Sequence, residues 1–159
     1  MDQPHVTLRR MSAEEYATYV VGLEAEAGRQ LSETMLEEEA RAHARAGIEQ
    51  YLPDRVDTKD HQLMIAEDEA GMPIGNAWIG PDPHHGGPKA AWLYGIDVYP
   101  DARRKGYGSA ILRAVEALVF RDGKNRLGLN VVGANEAAIA LYQKNGYVVS
   151  TQQMTKAIP

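Results

Sequence analysis

Cysteine is absent from the 159 residues. That excludes a disulfide framework, a thiolate metal site and a cysteine nucleophile, and it suits a cytoplasmic protein. No apolar run approaches the roughly 18 residues that a membrane-spanning helix needs, so no membrane partner is expected. The stretch from Met1 to Met11 also lacks the apolar centre of a signal peptide. Positive charge is scarce: 17 Lys and Arg against 22 Asp and Glu leave a formal net charge of -5. The only dense basic cluster is Arg103-Arg104-Lys105, so the broad footprint that a nucleic-acid backbone requires is missing and no nucleic-acid partner is expected.

What remains is ordinary globular material, 44% hydrophobic and 25% charged, which argues against wholesale disorder. The length suits one domain spanning residues 1–159. His5 to Met11 alternates like a short strand, and Ser12 with Glu15 forms a capping-box pattern before a helix striped by Tyr16, Val20, Leu23 and Ala27. Ser32 offers a cap for a second helix, with Leu36, Ala40, His43, Ala44, Gly47, Ile48 and Tyr51 on one face and a stop at Pro53. His61 to Glu67 and Pro73 to Ile79 read as a hairpin with Gly71 near its tip. Pro81 to Lys89 reads as a loop. Ala90 to Tyr99 is apolar on both alternating faces except at Asp97, as in a central strand covered on both sides. Gly106 to Arg121 is helical, Leu127 to Val132 strand-like, Asn135 to Asn145 a short helix closed by Gly146, and Tyr147 to Thr155 a last strand. The order β α α β β β α β α β points to an α/β or α+β fold with helices against a sheet.

Gly106 and Gly108 fall between a strand and the first turn of a helix, behind Arg103, Arg104 and Lys105. A helix N-terminus carries unpartnered amides and partial positive charge, and glycine lets backbone approach a phosphate closely. The turn is therefore either a phosphate cradle or a basic turn relieved by glycine. A Walker loop would need Gly-x-x-x-x-Gly-Lys-Ser/Thr, and the dinucleotide fingerprint would need glycine or alanine where Ile111 stands. Neither is present. The turn resembles instead the pyrophosphate loop of the GNAT N-acetyltransferases, Arg/Gln-x-x-Gly-x-Gly/Ala, met by Arg103, Gly106 and Gly108. The resemblance extends to Ile96-Asp97-Val98-Tyr99-Pro100 before the loop and to the stretch from Leu127 through Asn135 and Tyr142 to Tyr147 after it. Leu52-Pro53-Asp54 is similar to a stretch found in a group of bacterial members.

The resemblance implies a mostly antiparallel central sheet flanked by about four helices, with a splayed central strand pair. It also implies acetyl-CoA as co-substrate, no metal, and direct acetyl transfer to a primary amine carried by a small molecule or peptide. On that basis backbone groups of Ile96, Asp97 and Val98 would take the pantetheine arm. The Val98 amide would face the thioester oxygen, where such a donor is worth ~3 kcal/mol. Arg103, Arg104, Lys105, Gly106, Tyr107, Gly108 and Ser109 would hold the pyrophosphate. Asn135, a plain helix cap in its own right, and Ala138 would contact pantetheine. Tyr142, which could otherwise simply fill core, would protonate the leaving thiolate.

The general base is less defined. Asn130 stands where many relatives carry glutamate, and an amide cannot accept the proton. Asp97 is the nearest carboxylate, although it could serve as a structural acceptor, and Tyr94, His84 and His85 are further candidates. Lacking that glutamate, a non-catalytic acyl-CoA sensor is the alternative reading. Glu24, Glu26, Glu33, Glu37, Glu38 and Glu39 would line an acceptor region suited to a cationic amine, or else form a solvated helix face. A homodimer is compatible with a domain ending in a strand.

Overall fold

The structure, a computed structural model, describes residues 3–32 and 34–159. Its chain divides into two units, Met1–Leu129 and Asn130–Pro159. The first contains β1 (Thr7–Arg10), α1 (Ala13–Gln30), α2 (Glu37–Tyr51), β2 (Gln62–Glu67), β3 (Pro73–Pro81), β4 (Ala90–Val98), α3 (Tyr107–Arg121) and β5 (Arg126–Leu129). The strands form one sheet in the order β1-β2-β3-β4-β5. Pairing is antiparallel except between β4 and β5, which run parallel. This is the mixed, mostly antiparallel architecture that the motif order implies.

Local chemistry sets the element ends. Ser12 Oγ accepts from the Glu15 amide at 3.1 Å, while Glu15 accepts from the Ser12 amide at 2.9 Å, so the first turn of α1 has its amides satisfied from both directions. Arg9 closes a fork on the same carboxylate at 2.7 and 2.8 Å, tying β1 to the start of α1. In the β2–β3 hairpin, Asp68 Oδ1 accepts from the amides of Ala70 and Met72, both at 2.9 Å. Gly71 there takes a φ of 81°, a left-handed conformation that glycine adopts without the Cβ clash.

Helices cover both faces of the sheet. Met11, Tyr16, Leu52, Leu63, Ile65 and Trp78 form one buried cluster, with Tyr19, Val20, Leu23 and Ile48 of the first two helices packed against it. On the other face α3 buries Ile111, Leu112, Val115 and Val119. Ile111 sits so near β3 that a Cβ on Gly75 would lie 2.9 Å from its Cδ1. Between α1 and α2, Arg45 grips the buried Glu24 through two bonds of 3.0 and 3.1 Å, and Gly28 lets Glu37 and Arg41 approach closely.

Three sequence expectations need correction. Ser32 does not cap α2: α1 runs on to Gln30, Ser32 Oγ donates to the Arg29 carbonyl at 3.0 Å, and α2 begins at Glu37 with no side-chain cap. The acidic first turn of Glu37, Glu38 and Glu39 complements the helix dipole instead. Strand β4 is not covered along its whole length. Ala90, Ala91 and Leu93 are buried, but Tyr94 to Val98 are half-buried or exposed, because β5 stops at Leu129.

The third correction concerns the second unit. It contains α4 (Glu136–Lys144), and no strand forms between Tyr147 and Thr155. Val148, Val149 and Met154 are exposed. Alternating apolar residues make a strand only when a neighbouring backbone receives their peptide groups. The end of α4 is well defined: the Tyr147 amide donates to the Tyr142 carbonyl at 3.0 Å and the Gly146 amide to the Gln143 carbonyl at 3.1 Å. With Gly146 at a φ of 91°, this is a Schellman turn, completed by Tyr142 and Tyr147 rings meeting edge-on at 5.9 Å.

Candidate functional site

The register of β4 carries the site. Trp78 opposes Gly95 and Ile79 opposes Leu93, so Tyr94 is an extra residue on β4, a β-bulge that bends the strand. On its other side β4 pairs with β5 only from Ala90 to Leu93. There β5 ends, at Leu129, so beyond Leu93 the two parallel strands part and β4 runs on to Val98 paired with β3 only.

Alternation decides which peptide groups the parting frees. The Tyr99 amide donates to the Ile74 carbonyl at 2.9 Å, and Val98 opposes Gly75 while Asp97 opposes Asn76. Antiparallel pairs exchange hydrogen bonds at every second residue. Gly95, Asp97 and Tyr99 therefore turn their peptide groups toward β3, whereas Ile96 and Val98 turn theirs into the cleft. The Val98 carbonyl is met there by Arg103 Nε at 2.9 Å.

The chain then passes through a short turn, Pro100–Ala102, into the basic loop. Arg104 has a φ of 64° and Gly106 a φ of 83°. The left-handed conformation costs a non-glycine residue roughly 1–2 kcal/mol, so Arg104 is strained and Gly106 is not. Gly106 is the N-cap of α3 and supplies no side chain to the first turn, which leaves the amides of Tyr107 and Gly108 turned outward in a helix-start dipole. Arg104 and Lys105 are exposed beside them, and Ser109 is buried. A turn with a bare helix start, two exposed cations and no Cβ at its apex fits a pyrophosphate. Arg103 is not free with them, since its guanidinium also lies 3.5 Å from Asp97 Oδ1.

Asp97 shares a sheet face with Gly95 and Trp78, toward α1, as the register requires. Burial pushes its carboxyl above the usual carboxylate range, against the pull of Arg103. Tyr19 of α1 stands over this stretch, its hydroxyl 3.2 Å from where a Cβ on Gly95 would lie. Burial raises that hydroxyl strongly, and Asp97 adds to the effect. The acidic helix face is partly spent on arginine: Glu24 pairs with Arg45, Glu26 with Arg29 and Glu37 with Arg41. Glu38 and Glu39 remain exposed, and Glu33 lies outside the described residues.

Next to the bulge is an aromatic group that sequence reasoning missed. Tyr94 stacks on Trp78 at 4.8 Å and 18°. Tyr51 meets Tyr94 at 5.4 Å and Trp78 at 6.3 Å, and His61 lies 5.5 Å from Tyr94. The available signal was Gly80 within β3, since glycine inside a strand marks a close approach: a Cβ there would fall 2.5 Å from His61 Nδ1 and 2.9 Å from Tyr94. As base candidates, Tyr94, His84 and His85 fare differently. Tyr94 donates its hydroxyl to the Pro81 carbonyl at 2.7 Å, and burial raises it further, so it is a poor proton acceptor. His84 packs edge-on against Trp92 at 4.7 Å, and His85 is exposed in the loop with a φ of 62°.

In the second unit, Asn135 Oδ1 accepts from the Ala138 amide at 3.1 Å, the capping bond that its position suggests. Tyr142 lies about two turns nearer the C-terminus of the same helix, half-buried, and burial pushes its hydroxyl up. It is a protonated donor at neutral pH.

Comparison with known proteins gives consistent matches. The family model for the acetyltransferase (GNAT) family matches residues 27–147. The uncharacterized N-acetyltransferase YdgE of Bacillus subtilis (strain 168) is 31% identical over 127 residues, 80% of each chain. The crystal structure of the Bacillus subtilis acetyltransferase YycN superposes with a TM-score of 0.87 at 25% identity, covering 97% of this chain and 99% of that one. Spermidine N-acetyltransferase from Vibrio cholerae, in complex with CoA and spermine, shares the fold with a TM-score of 0.62 at 18% identity, over 91% of this chain and 81% of that one.

Proposed function

The chain belongs to the GNAT family of acetyltransferases, and from that premise we propose that it transfers the acetyl group of acetyl-CoA directly to a primary amine. The observation that carries this reading is the parting of β4 from β5 beside a helix start without a side-chain cap. A pantetheine arm could pair with the cleft-facing groups of Ile96 and Val98 as a strand would, while the pyrophosphate takes the amides of Tyr107 and Gly108 and the charges of Arg104 and Lys105. Arg103 and Ser109 complete that loop, and Asn135 and Ala138 are assigned to the pantetheine chain. The family model crosses from the first unit into the second, which supports treating residues 1–159 as one catalytic domain.

In the reaction the amine nitrogen attacks the thioester carbon and a carbon–nitrogen bond forms. The amide of Val98 stabilises the charge that gathers on the carbonyl oxygen. Asp97 accepts the proton that the nitrogen sheds, a role favoured by its raised carboxyl, which is a stronger base than an ordinary aspartate. The carbon–sulfur bond then breaks, and the Tyr142 hydroxyl protonates the departing thiolate. No covalent intermediate on the protein is required.

Free thiol release from acetyl-CoA across a panel of polyamines, aminoglycosides and peptide amino termini tests the activity. CoA binding with no turnover on any amine would favour an acyl-CoA sensor. Tyr142→Phe should lower kcat by about 100-fold or more while leaving CoA affinity unchanged, and full turnover by that variant would remove Tyr142 from the scheme.

A further inference from the structure

The aromatic group beside the bulge has no part in holding acetyl-CoA in the scheme above. Its polar atoms are already committed: Trp78 Nε1 donates to His61 Nδ1 at 3.0 Å, and the Tyr94 hydroxyl donates to Pro81. The first of these bonds fixes the neutral His61 tautomer, with its proton on Nε2. Burial keeps that imidazole below its usual range and so uncharged at neutral pH. What the group offers a ligand is ring surface. Trp78 covers one face of Tyr94, and Tyr51, 47% exposed at the end of α2, stands at its rim with the rings inclined at 60°.

Carboxylates bear on two members of the group. The carboxylate of Asp82 acts on Tyr94 and that of Asp60 on His61. Among the described residues no lysine or arginine is stacked on the rings. An electron-rich aromatic surface with carboxylates nearby and a neutral histidine attracts a cation through the ring quadrupoles. It gives a neutral ligand of the same shape no such advantage.

We propose that Tyr51 and Tyr94, backed by Trp78 and His61, form a binding wall for a cationic ammonium centre on the acceptor, distinct from the amine that is acetylated. The assignment of this cation to an acceptor rests on the acetyltransferase reading. The bulge explains why the wall is there: it adds Tyr94 to the strand whose next residues, Ile96 and Val98, face the cleft. A cation held on Tyr94 leaves a second amine, a few bonds away, free to extend along β4.

Isothermal titration of the full chain at neutral pH with choline and with 3,3-dimethylbutan-1-ol compares a quaternary nitrogen with carbon in an otherwise matched skeleton. Choline should bind at least about fivefold more tightly. Tyr51→Leu should weaken choline by about the same factor, whereas Tyr51→Phe, which keeps the ring, should stay within about twofold. CoA titrated separately into all three proteins checks folding and keeps the two readings apart. Equal affinity for the alcohol and choline, no choline binding, or a Tyr51→Leu variant that binds choline normally would each overturn the wall while CoA binding stands. Failure of the unaltered chain to bind CoA would instead sink the acetyltransferase reading, and the acceptor role with it, even where choline binds.

Discussion

Asp97 is pulled two ways. Half-burial disfavours its charge, and Arg103 at 3.5 Å favours it; burial is the larger effect, so the carboxyl titrates above the ordinary value of 3.8. A base with a raised pKa loses function as pH falls through that raised value. The acid limb of kcat/KM should therefore lie above the usual aspartate range, and Asp97→Asn should remove the limb and lower turnover by about 100-fold. An unchanged pH profile in that variant would transfer the proton to another acceptor. Asp97 could be singled out in the sequence because it is the only charge in an apolar strand. Its partner Arg103 could not, because a loop arginine next to a helix start reads as a phosphate ligand. Only the turn at Pro100–Ala102 shows that its side chain reaches back to β4.

At the scale of elements, two glycine and capping devices make opposite kinds of prediction. A Cβ at Gly106 would meet Pro4 no closer than 3.5 Å, so space is available and the penalty of Gly106→Ala comes from its φ of 83° alone. That variant should lose roughly 1–2 kcal/mol in chemical denaturation and should raise KM for acetyl-CoA, the second effect being the one that marks the loop as a phosphate site. Glu15 is held at a pKa of about 2, from 4.5, chiefly by the Arg9 fork and then by the Ser12 amide. Because its folded value is depressed, the stabilisation is complete above pH 4.5 and is lost as pH falls toward 2. Glu15→Gln should cost stability at neutral pH and converge on the unaltered chain as pH falls toward 2, which flattens that part of a stability-against-pH curve. Both elements were legible because their signals are local. A capping box lies within four residues, and α3 carries its apolar face in its own sequence. The strand expected from Tyr147 to Thr155 failed for the opposite reason: a strand is defined by a neighbour, which no run of alternating residues contains. The bulge at Tyr94 was hidden in the same way, since one extra residue is visible only when two strands are laid in register.

For the molecule as a whole, nucleotide binding should register as stability. A ligand at about 100 times its Kd adds about 2.7 kcal/mol, which for a chain of this size corresponds to a rise in Tm of roughly 5–10 °C. Differential scanning with CoA should show that rise, with a smaller one for Gly106→Ala; no shift with CoA would contradict the cleft as its site. The parting of β4 from β5 has one more consequence, separate from chemistry. Between catalytic rounds it is an inner edge, a row of peptide groups at Ile96 and Val98 of the kind through which sheets of different molecules join into aggregates. Charged side chains are the usual protection for such edges, and here the Arg103 guanidinium, 3.5 Å from the Asp97 carboxylate, is bonded to the Val98 carbonyl of that row. Arg103 thus occupies one acceptor of that edge, which the strand of a second molecule would otherwise find open.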